Sequence, residues 1–150
     1  MGSENGRGEL RGLYTDPAQP LTVAVGQSFD LVSMPAAVGH AALAALRARR
    51  VRLGPVVADS RRSVMRVGFL VAPTPDPDPD SAALCEWASR SGGALGVRVG
   101  GPGSTATLPP LLPWRGWLHW VVPPGTAPDG WTPAGALLSV LSERTGARPL

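Results

Sequence analysis

Apolar residues recur along this chain with two different periods, and these periods predict most of its regular structure. Alternating or continuous apolar runs predict strands at 21–25, 29–32, 55–58 and 64–72. Between the second and third strands, apolar residues at helical spacing predict a helix over 36–50. A strand–helix–strand unit of this kind builds an α/β layer.

The strand at 64–72 shows the clearest alternation. Its side chains fall into two sets that point to opposite sides, namely Met65, Val67, Phe69 and Val71 against Val64, Arg66, Gly68 and Leu70. Ser33 and Pro35 precede the predicted helix. They indicate a helix start, because a hydroxyl group caps the first turn and proline is tolerated within it.

The second half of the chain is predicted to hold shorter elements. A helix is expected to begin at Asp80, to bury Leu84 and Trp87, and to end near Gly92. A strand at 94–99 follows, then a loop rich in Gly, Pro, Ser and Thr through Pro113. A strand at 117–122 and a terminal helix that starts at 132–133 complete the prediction.

The predicted elements indicate one folded domain. Residues 1–20 are polar and rich in glycine, so a flexible leader is expected there. Residues 21–150 are expected to form a single α/β (α+β) domain in which helices pack on a mixed sheet.

Composition narrows the class of protein. All 14 basic residues are arginine, and the formal net charge is +3, which is modest for a dedicated DNA-packaging protein. A single cysteine, Cys85, excludes an intrachain disulfide and a cysteine-based zinc site. With a polar N-terminus and no apolar run of about 18 residues, a cytoplasmic protein without a membrane association is expected.

Arginines form the first candidate site. Half of them lie within residues 47–66, where a shared face would contact phosphates. Against this, no aromatic residue is interleaved with them, so a solvated surface is the alternative. The candidate nucleic-acid-binding set is Arg47, Arg49, Arg50, Arg52, Arg61, Arg62, Arg66 and Arg98.

Tryptophans form the second candidate site. Large aromatic residues at this density usually anchor a core or a protein interface, and a base-stacking platform is a further alternative. The candidate interface set is Trp114, Trp117, Trp120 and Trp131.

Residues that could support catalysis are scattered. Asp30 is a lone carboxylate in an apolar strand, without the second carboxylate two residues away that a two-metal site would use. His40 lies among alanines and His119 between tryptophans, where packing or surface roles are expected. No catalytic residue, metal site or cofactor is therefore predicted.

Four segments, in this order and spacing, resemble a known family. They are VGQSFDLVSMPAAVG at 25–39, RLGPVV at 52–57, FLVAP at 69–73 and WVVPP at 120–124, and the RTGA at 144–147 is also similar. The chain resembles, over residues 21–147, the actinobacterial proteins with a bifunctional DNA primase/polymerase N-terminal domain, relatives of the archaeo-eukaryotic primases.

This resemblance implies an RRM-like sheet and, in active members, divalent-metal nucleotidyl transfer. The implied machinery is a strand carboxylate pair just before Pro35, a strand histidine, and a third acidic residue. At the corresponding positions this chain has Val32, Ser33 and Met34, then Gly68, then Gly96. The resemblance therefore implies a degenerate member that is not an enzyme, with Asp30 as a vestige of the motif.

Three functions follow as hypotheses. The first is a non-catalytic adaptor or regulatory module that binds a protein partner, or a second copy of itself, through its tryptophans and proline-rich loops. The second is a DNA-binding remnant that uses the arginine-rich face. The third is an active metal-dependent nucleotidyltransferase with displaced ligands, for which no activity above background is expected.

Overall fold

The structure is a computed structural model that describes residues 9–26, 28–73, 79–112, 116–125 and 130–145. The regular structure of these residues consists of two antiparallel sheets and four helices. The helices are α1 (Glu9–Gly12), α2 (Ala36–Ala48), α3 (Pro79–Arg90) and α4 (Ala134–Thr145). The strands are β1 (Leu21–Ala24), β2 (Asp30–Pro35), β3 (Val56–Asp59), β4 (Arg66–Val71), β5 (Arg98–Gly100), β6 (Thr105–Leu108) and β7 (Leu118–Val122).

The larger sheet has the strand order β5-β2-β4-β3-β7. Strands β2 and β3 each pair antiparallel with β4, so they run parallel to each other, and α2 connects them. The predicted strand–helix–strand unit is thus confirmed, with β4 inserted between its two strands. The predicted α/β class is confirmed, although every neighbouring pair in the sheet is antiparallel where a mixed sheet was expected.

One face of this sheet is covered by helices. Val32 and Met34 of β2 and Val67 and Phe69 of β4 are fully buried there, together with apolar residues of α2, α3 and α4. Helix α2 lies very close to β4, since a Cβ atom built on Gly39 would be 2.5 Å from Val67 Cβ. Glycine is therefore the residue that permits this helix–sheet distance.

The opposite face is covered by a two-stranded ribbon of β1 and β6. A second apolar cluster fills this layer, with Val57 and Leu70 from the large sheet and Leu108 from the ribbon. Phe29 packs beside Trp131, with ring centroids 5.7 Å apart. The predicted alternation is confirmed within β4, because Val67, Phe69 and Val71 enter the helix-side core and Leu70 enters the core under the ribbon. The strand is shorter than predicted, and Val64 and Met65 precede it and are exposed.

Residues 9–20 do not behave as the expected leader, because this segment packs against the domain. Leu10 of α1 is only 4% exposed and belongs to the ribbon-side core. Arg11 donates a hydrogen bond from Nε to the carbonyl oxygen of Pro124 at 3.0 Å, and Tyr14 donates one from its hydroxyl to the carbonyl oxygen of Pro109 at 2.6 Å. The contacts of these three side chains thus outweigh the polar composition of the segment.

Three local predictions were wrong. Strand β6 occupies part of the predicted loop, because its pairing with β1 satisfies backbone groups that composition alone does not reveal. A 3₁₀-helix at Gly92–Leu95 takes the place of the start of the predicted strand at 94–99. Ser33 does not cap α2, which begins after Pro35 without a side-chain cap; Ser33 lies within β2 instead.

Replacing Gly39 with alanine tests the close approach of α2 to β4. We expect Gly39→Ala to lower the free energy of unfolding by about 1–3 kcal/mol, because the new methyl group overlaps Val67. Gly93→Ala is the matched control, since a Cβ atom there meets nothing within 4 Å. Urea unfolding of both variants measures the difference, and equal stabilities would contradict the packing described here.

Ionisation of Tyr14 should lower the free energy of unfolding in strongly alkaline solution. Burial raises the pKa of Tyr14 to about 12, from an unfolded value near 10, so the protonated side chain stabilises the fold. This contribution is complete below pH about 10 and is lost as the pH rises toward about 12.

The measurement is clean because the chain has one tyrosine and no lysine. Absorbance at 295 nm should report phenol ionisation near pH 12 in the folded protein and near pH 10 in urea. In Tyr14→Phe, the fall in unfolding free energy over this range should disappear. A midpoint near 10 in the folded protein would refute the burial of this hydroxyl.

Candidate functional site

A cavity of about 320 Å³ opens between the large sheet and strand β6. We call it the cleft. Its apolar lining is Leu31, Val57, Ala106 and Leu108, and Gly68 contributes backbone. Its polar lining is Ser33, Asp59, Arg61, Arg62, Arg66, Thr105 and Thr107.

Strand register brings these side chains to one end of the sheet. Arg66 at the start of β4 lies between Pro35 at the end of β2 and Asp59 at the end of β3. Gly68 likewise lies between Ser33 and Val57. A Cβ atom on Gly68 would come within 2.8 Å of Leu31 Cδ1, so glycine keeps the floor of the cleft low.

Arg66 forms the polar wall of the cleft. Its Nη2 donates hydrogen bonds to Ser33 Oγ at 3.1 Å and to the carbonyl oxygen of Gly96 at 2.7 Å. Both acceptors are uncharged, and Arg66 forms no ion pair within the described part of the chain. Desolvation, and then the nearby charge of Arg98, lower the pKa of Arg66. The half-buried guanidinium therefore lacks a compensating negative charge among the described residues.

Asp59 is engaged by Arg61 at the mouth of the cleft. Arg61 donates from Nε to Oδ1 at 3.0 Å and from Nη2 to Oδ2 at 2.8 Å, and its backbone N–H also bonds Oδ1. The side-chain hydrogen bond from Arg61 is the main cause that lowers the pKa of Asp59, and it raises the pKa of Arg61. This carboxylate orients an arginine and is not presented alone.

Trp117 lies beside Arg61, a proximity that the sequence did not indicate. The backbone N–H of Ser60 bonds the carbonyl oxygen of Trp117 at 2.6 Å, extending the pairing of β3 with β7. The Trp117 side chain is 74% exposed, and it shares a recess with Ser60 and Arg61. We call Arg61, Arg62 and Trp117 the rim. Trp117, which is distant in the chain and directly precedes β7, therefore places an aromatic ring beside Arg61.

The remaining predicted arginines do not join this group. Helix α2 starts at the Pro35 end of the sheet and runs back to the other end, so Arg47, Arg49 and Arg50 lie far from the cleft. Arg49 is also paired with Glu143 of α4 at 2.6 Å. The prediction of one shared arginine face is wrong, because a helix of 13 residues separates its two halves.

Arg52 and Arg98 take separate positions. Arg52 is exposed in the loop between α2 and β3. Arg98 pairs in register with Ser33 at the neighbouring strand, and its charge acts on Arg66. Its side chain lines a different recess, beside Cys85 and Ser89. Arg98 therefore supports the positive potential near the cleft without lining it.

Of the predicted interface tryptophans, Trp120 is wrong because it is buried, and Trp131 is half-buried. Trp120 is 5% exposed and belongs to the ribbon-side core, and Trp131 packs against Phe29. Trp114 lies outside the described residues. Trp117 alone of the four is a described and exposed tryptophan. Alternation along β7 predicts opposite sides for Trp117 and Trp120, but not which side is buried.

The acidic and histidine candidates lie apart from the cleft. Asp30 is 1% exposed at the far end of β2, opposite Val71 in register. His40 is exposed on α2, and His119 Nδ1 lies 3.0 Å from the carbonyl oxygen of Gly116. Within the residues that the structure describes, no three His, Cys, Asp or Glu side chains group as metal ligands would.

The positions singled out by the family resemblance fall on both faces of the large sheet. Val32 and Met34 are buried in the helix-side core, whereas the other three lie at or beside the cleft. Ser33 and Gly68 are partners in the β2–β4 ladder, and both line it. The carbonyl oxygen of Gly96 accepts the second hydrogen bond of Arg66.

Comparison of the chain with protein-family models, curated proteins and solved structures yields no match. Among the described helices, none has the length and apolar character needed to cross a membrane.

The Asp59–Arg61 pair predicts a shifted carboxyl titration. We expect ¹³C NMR to give Asp59 a pKa below the ordinary value near 3.9, and Arg61→Ala to raise it. Arg62→Ala is the matched control with a smaller effect, because Arg62 is the weakest cause of the shift.

The same pair should stabilise the protein only slightly. Its contribution is present above pH about 4 and is lost as the pH falls through the lowered pKa. Since the pair is partly exposed, we expect at most about 1 kcal/mol. An unchanged Asp59 titration in Arg61→Ala would refute the contact.

Proposed function

We propose that this protein is a non-catalytic domain that binds single-stranded nucleic acid at the rim. The observation that carries the proposal is the position of Trp117, which is 74% exposed and shares a recess with Arg61. Proteins that bind single strands combine cationic groups for phosphates with exposed aromatic rings on which bases stack.

Stacking gives the exposed indole a favourable role. A tryptophan that stays in water forfeits the free energy of burying its ring, whereas stacking on a base contributes roughly 1–3 kcal/mol. Arg61 shares the recess with the ring, and Arg62 follows it in the β3–β4 connection, where both side chains are exposed. A strand that places one base on Trp117 would have its neighbouring phosphates within their reach.

The local charge favours a polyanion. Three arginines and one aspartate line the cleft, and that aspartate is already paired with Arg61. Phosphate contacts of this kind release counterions and make binding dependent on salt.

Absence of catalysis is part of the proposal. Two-metal phosphoryl transfer needs carboxylates that hold both ions. The positions where the family resemblance implies metal ligands carry neither a carboxylate nor an imidazole; they are Val32, Ser33, Met34, Gly68 and Gly96. Descent from a primase–polymerase ancestor that retained a nucleic-acid surface accounts for this arrangement.

A protein-binding adaptor is the second candidate. Val64 and Met65, in the same connection as the rim arginines, are 57% and 43% exposed. Apolar side chains beside arginine and tryptophan are typical of protein interfaces. The burial of Trp120 and the packing of the half-buried Trp131 against Phe29 remove part of the surface on which this hypothesis was based.

Fluorescence anisotropy with a labelled 12-nucleotide oligothymidine tests the nucleic-acid proposal. We expect salt-dependent binding, tighter than for a duplex of the same length. Arg61→Ala with Arg62→Ala should lower the slope of log K against log salt by about 1.4, at about 0.7 for each phosphate contact. Trp117→Ala should weaken binding by roughly 5- to 150-fold, and Trp117→Phe should weaken it less.

Arg47→Ala is the control, because Arg47 is exposed at the opposite end of the sheet. Its affinity and salt slope should match those of the unaltered protein. Equal losses in the Arg47 and rim variants would refute the assignment to the rim. If no oligonucleotide binds, the adaptor hypothesis gains, and Val64→Ser with Met65→Ser should then abolish capture of a protein partner.

A further inference from the structure

We infer that the cleft is a binding site for a small monoanionic ligand with an aliphatic body, specifically a medium-chain carboxylate. This inference does not depend on nucleic-acid binding, because it concerns the interior of the cleft and not the rim. It follows because one side of the cavity is aliphatic and the other is polar and carries arginines.

The apolar side matches an aliphatic chain. Leu31, Val57, Ala106 and Leu108 supply branched or small aliphatic surface, and no aromatic side chain lines the cavity among the described residues. A volume of about 320 Å³ lies at the lower end of small-ligand sites. Burying methylene groups there would remove apolar surface from water on both partners.

The polar side matches one negative charge. Arg66 uses only Nη2 for its hydrogen bonds within the described residues, which leaves the N–H groups of Nη1 and Nε for a ligand. A half-buried cation that is bonded only to neutral acceptors gains most from an anion. A carboxylate can accept a charge-assisted hydrogen bond from either of these groups, which point to different sides of the guanidinium.

Asp59 lines the cleft but is bonded to Arg61 and does not neutralise Arg66. Its carboxylate lines the same cavity and stays ionised, because Arg61 holds its pKa low. The cleft therefore leaves Arg66 without an acidic partner among the described residues at one wall, and it offers aliphatic surface on its floor.

Isothermal titration with octanoate at neutral pH is the first test. We expect saturable binding to one site, much weaker binding of acetate, which lacks the chain, and of octanol, which lacks the charge. Adenosine monophosphate serves as the competing class of ligand. If acetate binds as tightly as octanoate, or if adenosine monophosphate binds more tightly, the inference is overturned.

Arg66→Met tests the polar wall, since methionine keeps the length of the side chain and removes its charge. We expect the Kd for octanoate to rise by about tenfold or more, and Arg66→Lys to lose less. Arg47→Met is the matched control and should bind as the unaltered protein does. An Arg66→Met variant that binds normally would refute the role of the guanidinium.

A measurement on the unaltered protein guards against misfolding of the variants. With ¹³C-labelled methyl groups, octanoate should show intermolecular nuclear Overhauser effects to Leu31 and Leu108, which line the floor. Contacts confined to other methyl groups would overturn the site. Binding of octanoate without binding of oligothymidine would support this inference and refute the nucleic-acid proposal, so the two fail separately.

Discussion

Strand β4 imposes the central constraint on this fold, because it is apolar on both sides and lies in the middle of the sheet. Val67 and Phe69 face the helices, while Leu70 faces the ribbon. Each of these side chains is stabilised by burial of its apolar surface, so a single covering layer would leave one set in water. The helices cover one face, and the ribbon with α1 covers the other.

The cleft arises where this two-sided burial ends. At the Arg66 end of β4 the neighbouring residues are small or polar, notably Ser33, Gly68 and Asp59, so they cannot form a tight apolar contact with β6. The space that remains is bounded by aliphatic surface on one side and arginine on the other. The same strand register therefore produces both the packed apolar cores and the charged cleft.

Topology also separates the charges. The arginines at the end of α2 lie about 20 Å along the helix axis from its start, given the rise of 1.5 Å for each residue. This distance exceeds the Debye length of about 8 Å at physiological salt, so these charges contribute little to the potential at the cleft. A count of basic residues in the sequence window overestimated the charge at the site, whereas the position of Trp117 was not anticipated at all.

The sequence by itself determined the α/β class, the α2 helix, the two-sided character of β4 and most element positions, because these depend on local periodicity and on residues close in the chain. It did not determine the role of residues whose surroundings come from distant segments. Ser33 was expected to cap a helix and instead binds Arg66; Trp120 was expected at an interface and is buried. Only the tertiary structure decided the formation of strand β6 and the proximity of Trp117 to Arg61. Both depend on strand pairing, and the paired strands are far apart in sequence.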